Sequence, residues 1–469
     1  MNKEKITFAL FFANRGFFPG ELIADARKEM IEALEKNGFD YIIMDENLTR
    51  YGAVETIKEG KEFNKFLKEN EGKYDGIIAS LPNFGDENGA SVAFKDVNVP
   101  ILIQAYPDEE GKMDFAHRRD ALCGKLAMCN VLRQLNIKYS LTKKFTVSPL
   151  SADFDEDLDQ FAATCRVVRG MQKFNIGAIG ARTTAFKTVR VDEIALANKR
   201  INVEDIDLSM VFNMMDKLEA ESPKVIAKMQ RMNEIADFSK YGNDKLVNIS
   251  KLAVVIDELI EMYELDSIAI RCWDEFQRKY NIIPCVILGE LNERGITAAC
   301  ELDVSNSVMM KALNHASNFP VMLLDVNNNF KDDDNKCILF HCGCVPVSLL
   351  TKPKGTIEEH LMLKKTLGPE TAVGLNVGTI SPNKVTIGSV KTENGDVCSF
   401  VFDGTLLDYP IECSFFGCGV VLEKQNMNGI LQYMARNGYR HHVAITKGSY
   451  ANAVKEAFEV YLDYKIDLF

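Results

Sequence analysis

The sequence predicts an α/β protein with two doubly wound parallel-sheet domains, followed by a C-terminal domain that contains an antiparallel β-barrel. Short apolar runs alternate with helix-like stretches through most of the chain, as in parallel sheets covered by helices on both faces. From Thr371 to Val421 the sequence becomes rich in Gly, Thr, Val and Ser and loses helical periodicity, which indicates antiparallel strands.

The N-terminal part of the chain, residues 1–148, is predicted to form the first α/β domain. Two stretches have helical spacing, namely Glu21–Asn37, which Gly38 terminates, and Val54–Asn70. Four apolar runs around them are predicted strands: Ile6–Ala13, Tyr41–Met44, Gly76–Leu81 and Ile101–Ala105.

Residues 149–319 are predicted to form a second α/β domain, which starts after Ser148-Pro149. Helices are expected over Asp153–Gln172, near Asp216–Asp237 and over Lys251–Tyr263. Five runs bounded by turn signals are predicted strands: Asn175–Gly180, Leu208–Phe212, Ser267–Cys272, Pro284–Leu288 and Ile296–Cys300.

The third predicted domain covers residues 320–469. It begins with two more runs of the same strand pattern, Val321–Leu324 and Cys337–Phe340, before the sequence becomes β-rich. Asn394-Gly395 is a hairpin-turn signal inside the β-rich part. Two helices are expected to close the chain, around Met427–Asn437 and Tyr450–Tyr464.

The composition limits the possible partners. The 469 residues have a net charge of −12 and are 46% hydrophobic, which is enough for several packed cores. Because phosphate backbones repel an acidic chain, we expect no nucleic-acid partner. No segment reaches the roughly 18 apolar residues of a membrane span, and no cleavage site follows the short N-terminal apolar run. We therefore expect a cytoplasmic protein without a membrane partner, whose 12 cysteines are reduced thiols.

Candidate metal-binding side chains follow three consecutive buried-strand patterns. ITAACE ends at Glu301, VMLLD ends at Asp325 and CILFH ends at His341. Because ligands of parallel α/β sheets gather at the carboxyl ends of strands, we expect these side chains to converge on one rim. The pair His441-His442, which opens the strand-like segment HHVAIT, is a fourth candidate.

Two carboxylates with one or two imidazoles suit Mn²⁺, Mg²⁺ or Co²⁺ and leave coordination positions for sugar oxygens. Such a cation polarises a carbonyl, while nearby carboxylates move a proton between neighbouring carbons. We therefore predict a divalent metal cofactor, with Mn²⁺ as the first choice. Taken singly, these residues have ordinary explanations as well: Asp303 fits a helix N-cap, and a lone His341 is more often a core histidine.

Two other motifs suggest different chemistry. The segment NIGAIGARTTAF (Asn175–Phe186) has glycines after a strand pattern, but it lacks the complete signature of either phosphate-binding loop. The segment His341-Cys342-Gly343-Cys344 could form half of a zinc site, although no second Cys or His pair lies at the required spacing. Both alternatives are less favoured than the carboxylate–histidine centre.

The run CELDV…MLLDV…FHCGC from Cys300, followed by Arg440-His441-His442, resembles the L-fucose isomerase and L-arabinose isomerase superfamily, as a divergent, fucose-isomerase-like member. The segments NRGFFPG and HRRDALCG also look like that branch. The resemblance implies that Glu301 and Asp325, 24 positions apart, bind the metal and form the acid–base pair. It implies that His442 is a further ligand and that His341 is an additional one, as in the arabinose-isomerase branch.

The resemblance also implies a homo-oligomer, either a trimer or a hexamer, in which the first domain of one subunit covers the active site of its neighbour. Six residues are candidates for substrate binding: Arg15, Asn83, Phe84, Trp273, Gln277 and Arg440. The single tryptophan, Trp273, could present a stacking face to a sugar ring, and ordinary packing explains it equally well.

From these observations we predict a metal-dependent aldose–ketose isomerase that acts on an open-chain sugar through a cis-enediol. Candidate substrates are L-fucose, D-arabinose, L-arabinose and a modified hexose such as a sulfonated sugar. A sugar-binding α/β protein without catalytic activity is the alternative, because two α/β domains with a cleft also describe sugar receptors. A catalytically silent homologue is a third possibility, which the complete set of candidate ligands disfavours.

Overall fold

The computed structural model of the chain describes residues 5–409 and 417–469. Residues 1–4 of the N-terminal segment and residues 410–416 of the predicted β-rich region lie outside the described residues. Contacts between residues divide the chain into two compact units. We call them the N-terminal unit (Asn2–Arg169 with Asn452–Asp463) and the main unit (Gly170–Ala451 with Tyr464–Phe469). The domain boundaries predicted after residues 148 and 319 stay predictions.

The N-terminal unit contains a parallel sheet of five strands in the order β2-β1-β3-β4-β5, the order of a doubly wound fold whose direction reverses between β1 and β3. Its elements are β1 (Thr7–Phe12), α1 (Leu22–Asn37), β2 (Asp40–Ile43), α2 (Ile57–Glu69), β3 (Gly76–Leu81), α3 (Glu87–Ala93), β4 (Ile101–Ala105), α4 (Ala121–Gln134), β5 (Ser140–Leu141) and α5 (Ala152–Met171).

The central strand β1 is apolar after Thr7 because both of its faces are buried. Phe8 faces one core, where it stacks on Phe161 of α5 at a centroid distance of 5.5 Å. Phe11 faces the opposite core, where it contacts Phe63 of α2 and Phe94. Side chains alternate between the faces of a strand, so one apolar run supplies both cores. Helix α5, which we predicted within the second domain, contributes to the first of these cores.

The main unit begins with a second parallel sheet, of four strands in the order β10-β9-β6-β7. The elements of this part are β6 (Phe174–Ile179), α6 (Glu193–Ala197), β7 (Ile201–Ile206), α7 (Leu208–Lys217), α8 (Pro223–Ile235), β8 (Ala236–Asp237), α9 (Asn243–Met262), β9 (Ser267–Ile270), α10 (Glu275–Tyr280), α11 (Cys285–Glu293), β10 (Thr297–Ala299) and α12 (Val304–Ser317).

The rest of the chain is dominated by antiparallel strands. Its elements are β11 (Val321–Asn329), β12 (Lys336–His341), β13 (Gly355–Glu359), α13 (Leu361–Leu367), β14 (Val373–Val377), β15 (Asn383–Glu393), β16 (Asp396–Leu407), β17 (Cys418–Glu423), α14 (Met427–Arg436), β18 (His442–Lys447), α15 (Ala451–Glu456) and β19 (Lys465–Leu468). A small sheet in the order β14-β13-β8 also belongs to the main unit, whereas α15 beyond Ala451 belongs to the N-terminal unit.

Six of these strands close into a barrel in the order β15-β18-β11-β12-β17-β16, because β15 also pairs with β16. All pairs within the ring are antiparallel, and β19 adds to β16 outside it. At Asn394-Gly395 the φ angles are +53° and +80°, the positive values that a two-residue hairpin turn needs. The predicted fold class, two parallel sheets followed by a β-barrel, is confirmed.

Several predicted elements were wrong. Leu208–Phe212 and Pro284–Leu288 were predicted as strands but begin the helices α7 and α11, because a short apolar run alone does not distinguish a strand from a buried helix. The strands β11 and β12 were predicted to extend the parallel pattern, and both belong to the antiparallel barrel. Strand β7 was missed because its residues are mostly polar and half exposed at the edge of the sheet.

No helix within residues 5–409 and 417–469 is both long and apolar enough to cross a membrane.

Candidate metal centre

Glu301 lies in a tight turn at the carboxyl end of β10. Glu301 and Leu302 both have a φ angle of +60°, a left-handed backbone conformation that residues other than glycine rarely adopt. Such a backbone costs on the order of 1 kcal/mol or more per residue, and strained residues of this kind often cluster at functional sites. The next residue, Asp303, caps helix α12, so the turn is held between the sheet and the start of the helix.

The other predicted ligands lie on three adjacent strands of the barrel. Asp325 of β11 pairs directly with His442 at the start of β18, and on its other side with Phe340 of β12. His341 ends β12. We predicted that Asp325 ends its strand, and this was wrong, because β11 continues to Asn329. Asp325, His341 and His442 are therefore brought together by antiparallel register, and only Glu301 comes from the carboxyl end of a parallel strand.

The structure brings the predicted ligands together around the imidazole of His442. Its Nε2 lies 3.1 Å from Glu301 Oε2 and 3.4 Å from Asp325 Oδ1, and its side chain is fully buried. Two groups of three residues offer ligand atoms within 4.8 Å of one another. They are Glu301, His441 and His442, and Asp325, His341 and His442.

These donors fit a divalent cation. Asp325 Oδ1 and His341 Nε2 are buried, and neither has a hydrogen-bond partner among the residues that the structure describes. Buried polar atoms are normally satisfied, so two unsatisfied atoms at one centre indicate missing partners, a cation for the carboxylate oxygen and either a cation or a substrate oxygen for the imidazole nitrogen. Carboxylate oxygens combined with imidazole nitrogen are suitable ligands for Mn²⁺ and related ions.

The charges at the centre are strongly coupled. Burial alone would lower the pKa of His442, but its hydrogen bonds to Asp303 and Glu301 outweigh burial and raise that pKa to about 10. Burial alone would raise the pKa of Glu301, but the hydrogen bond and charge of His442 hold the pKa of Glu301 below its ordinary value. The imidazole of His442 and the carboxylates around it therefore stabilise one another's charged forms.

Two aromatic side chains, Phe186 and Trp273, lie beside the centre, and we call them the aromatic wall. Trp273 follows β9 and contacts Phe186, which follows β6, at a centroid distance of 6.1 Å. Phe186 in turn lies 5.8 Å from the ring of His442 and 5.7 Å from that of His441. Because β6, β9 and β10 are parallel, Phe186, Trp273 and Glu301 leave the same edge of the sheet. The wall can pack against the apolar face of a sugar.

Two of the predicted substrate-binding residues in the main unit are buried. Gln277 is fully buried and donates a hydrogen bond from Nε2 to the carbonyl oxygen of Cys272 at 2.7 Å. Arg440 is 6% exposed, and its guanidinium donates to Asp303 Oδ1 at 2.5 Å and to two backbone carbonyl oxygens. In this arrangement Arg440 supports Asp303, and its contacts are with the protein.

Arg15, Asn83 and Phe84 cluster within the N-terminal unit. The guanidinium of Arg15 lies 4.1 Å from the ring centroid of Phe84 and 3.0 Å from Glu87. The side chain of Asn83 accepts a hydrogen bond from the backbone of Arg15 at 3.3 Å and donates to Asn14 at 2.7 Å. These residues follow β1 and β3, where the strand order reverses and where such sheets commonly bind ligands.

Sequence reasoning missed three contributors to the centre. Phe186 lay in the segment that we considered as a phosphate loop, and its position after a strand pattern was the available signal. Asp303 was considered only as a helix cap, although its carboxylate also bonds His442 Nδ1 at 2.8 Å. His441 was set aside in favour of His442, yet it lies 3.8 Å from Asp325 and keeps 41% of its side chain exposed.

The two competing motifs do not form sites in the described residues. The segment after β6 continues into a loop and a short turn at Lys187–Val189, whereas a phosphate loop needs a helix N-terminus there. Cys344 points to the carbonyl oxygen of Leu323, and no cysteine belongs to either group of potential metal ligands.

Comparison with known proteins gives matches at both ends of the chain. The family described as fucose/sulfoquinovose isomerase, N-terminal domain, matches residues 9–172. The family described as L-fucose isomerase, C-terminal domain, matches residues 339–469, which include His341 and His442.

Relatives with a described activity cover most of the chain at low identity. The sulfoquinovose isomerase of Priestia aryabhattai is 24% identical over 400 residues, which are 84% of this chain and 85% of that protein. The sulfoquinovose isomerase of Alkalicoccus urumqiensis is 23% identical over 407 residues, 86% of this chain and 88% of that protein. With both terminal domains matched, the chain belongs to the fucose/sulfoquinovose isomerase family, a family of aldose–ketose isomerases.

Proposed function

We propose that this protein is a metal-dependent isomerase that interconverts an open-chain aldose and the corresponding ketose through a cis-enediol, with Mn²⁺ as its metal. The observation that supports the proposal is the position of His442 Nε2, within 3.4 Å of carboxylate oxygens from Glu301 and Asp325. The proposed ligands are Glu301, Asp325 and His442, and His341 lies at the same centre. The proposed acid–base pair is Glu301 and Asp325.

A divalent cation held at this centre would supply the positive charge that polarises two adjacent sugar oxygens. One of the two carboxylates removes the proton from C2 and returns it to C1, while the other passes a proton from O2 to O1. The C2–H bond breaks and a C1–H bond forms, so no external oxidant or reductant is needed. The wall formed by Phe186 and Trp273 limits the access of water on one side.

Sulfoquinovose is the substrate that we propose to test first. Two relatives that cover most of the chain are described as sulfoquinovose isomerases. A sulfonate needs a cationic partner, and the loop that precedes and follows Phe186 contains Arg182 and the exposed Lys187. The other substrates in the proposal are L-fucose, D-arabinose and L-arabinose, which have no such charge.

We further propose a cytoplasmic homo-oligomer, a trimer or a hexamer, in which Arg15, Asn83 and Phe84 of the N-terminal unit help to recognise the substrate. This role is supported by the position of the three residues, which follow the strands between which the order of the first sheet reverses. Light scattering coupled to size-exclusion chromatography measures the mass of the assembly, and a monomer at micromolar concentration would contradict this part of the proposal.

The experiment that tests the function is an aldose screen with the purified full chain. The protein is stripped with a chelator, divided, and assayed for ketose formation by NMR with and without added Mn²⁺, with sulfoquinovose and the three uncharged aldoses as substrates. We expect turnover only after Mn²⁺ is restored. Sugar binding without turnover would support the sugar-binding alternative, and full turnover by the stripped protein would refute metal dependence.

A further inference from the structure

Asp303 is a fully buried carboxylate whose two oxygens are both occupied. Its Oδ1 accepts hydrogen bonds from the guanidinium of Arg440 at 2.5 Å and from the backbone N–H of Asn306 at 3.1 Å. Its Oδ2 accepts from His442 Nδ1 at 2.8 Å and from the side-chain amide of Asn306 at 2.7 Å. The buried negative charge is thus compensated by Arg440, which is itself 6% exposed.

This arrangement determines which nitrogen of His442 is free to bind a cation. An ionised carboxylate only accepts hydrogen bonds, so Nδ1 of His442 must have the proton that lies between it and Asp303. The opposite nitrogen, Nε2, faces Glu301 and Asp325. Metal-binding histidines are commonly oriented in this way by a carboxylate on the second ring nitrogen, and loss of that partner typically costs ten- to a hundredfold in affinity.

We propose that Asp303, held in place by Arg440, is a positioning residue that makes Nε2 the metal-binding nitrogen of His442. This inference rests on the proposed function, because the cation concerned is the one that the isomerase would use. It assigns to Asp303 a role beyond capping helix α12, and to Arg440 a role behind the centre in place of a contact with substrate.

An Asp303→Asn substitution tests the inference because it changes the donor pattern without changing the shape. Both oxygens of Asp303 face two donors, but the partners of Oδ1 are the Arg440 guanidinium and the Asn306 backbone N–H, which cannot accept hydrogen bonds, so the amide oxygen takes that position. The amide NH₂ then faces His442 Nδ1, which has to accept. The ring proton moves to Nε2, where it blocks the cation.

Ser389→Ala is the matched control. The hydroxyl of Ser389 is buried and donates to the backbone oxygen of His442 at 2.9 Å, so its loss disturbs the same network without touching the imidazole. Mn²⁺ binding to metal-stripped wild type and both variants is measured from the EPR signal of free Mn²⁺. We expect Asp303→Asn to bind at least tenfold more weakly than wild type, and Ser389→Ala to bind within threefold of it.

A folded Asp303→Asn variant that binds Mn²⁺ within threefold of wild type would overturn the inference. If that variant does not fold, the wild type provides a second test. The protein is labelled with ¹⁵N-histidine and loaded with Zn²⁺, and NMR should show a proton on Nδ1 of His442. An unprotonated Nδ1 would equally overturn the inference. Wild type that binds no divalent cation would instead refute the proposed function.

A separate contact assigns the opposite tautomer to His341. Its Nδ1 accepts a hydrogen bond from the backbone N–H of Cys342 at 2.8 Å, so the proton of the neutral ring lies on Nε2. That Nε2 is buried and has no hydrogen-bond partner within the described parts of the chain, although its side chain lies at the centre. We infer that His341 donates a hydrogen bond to a substrate oxygen and does not bind the metal.

A His341→Gln variant separates the two roles. If His341 is a donor to the sugar, Mn²⁺ affinity stays within threefold of wild type, while kcat/KM for the best aldose of the screen falls at least tenfold. A tenfold loss of Mn²⁺ affinity, or an unchanged kcat/KM, would overturn the inference. The same Zn²⁺-loaded NMR sample gives a second measurement on the wild type, in which Nε2 of His341 should remain protonated.

Discussion

Replacement of Glu301 by Gln should abolish most of the activity while leaving the fold intact. The carboxylate lies 3.1 Å from His442, keeps 18% of its side chain exposed and protrudes from a turn outside the strand, so the amide fits the same space. The variant loses one negative charge from the metal centre and one of the two groups able to move the C2 proton. Loss of a general base typically lowers kcat by about 10²- to 10⁴-fold, or about 3–5 kcal/mol in the activation free energy.

The assay has to separate the loss of a ligand from the loss of a base. Mn²⁺ affinity is measured first, and kcat is then determined at saturating Mn²⁺ for Glu301→Gln and Glu301→Asp. The Asp variant keeps the charge but withdraws it by about 1.5 Å, the length of one C–C bond, and should fall between the wild type and the Gln variant. Glu110→Gln, at an exposed position of the N-terminal unit, is the matched control.

Wild-type kcat for Glu301→Gln at saturating Mn²⁺ would refute the acid–base assignment of this residue. If Glu301→Asp lost more activity than Glu301→Gln, the position of the side chain would matter more than its charge, and the reasoning from charge would fail.

Three further outcomes test other parts of the structure. Phe186→Leu should raise KM several-fold for the best aldose with little change in Mn²⁺ affinity, since it removes the aromatic face beside His442, and steady-state kinetics would show it. Burial lowers the pKa of Lys125 from 10.5 in the unfolded chain to about 8 in the folded protein. Between pH 8 and pH 10.5 the unfolded chain therefore binds more protons than the folded protein, and stability rises with pH. The free energy of unfolding should increase by about 3 kcal/mol over this interval. Lys125→Met should lack that rise in urea titrations at the two pH values. Gly395→Ala should lower the free energy of unfolding by about 1 kcal/mol, because φ is +80° there, and an unchanged melting temperature would contradict the turn assignment.

The fold could be predicted from the sequence to the extent that local patterns are unambiguous. Runs such as Gly76–Leu81 and Ile101–Ala105 became strands with the predicted bounds because they are mostly apolar and are buried on both faces. The hairpin at Asn394-Gly395 followed from turn chemistry alone. The errors at Leu208–Phe212 and Pro284–Leu288 arose where a mostly apolar run of five residues fits a strand and a buried helix equally well.

For the proposed metal centre, the sequence alone indicated Glu301, Asp325, His341 and His442 as candidates before any geometry was known. Only the tertiary structure decided how they meet. Asp325 reaches His442 through the antiparallel pairing of β11 with β18, two strands that lie more than a hundred positions apart in the sequence, and no local periodicity encodes such a register. The same holds for Asp303, whose second role depends on a histidine from a distant strand, because hydrogen bonds between buried groups are set by packing and not by neighbouring sequence.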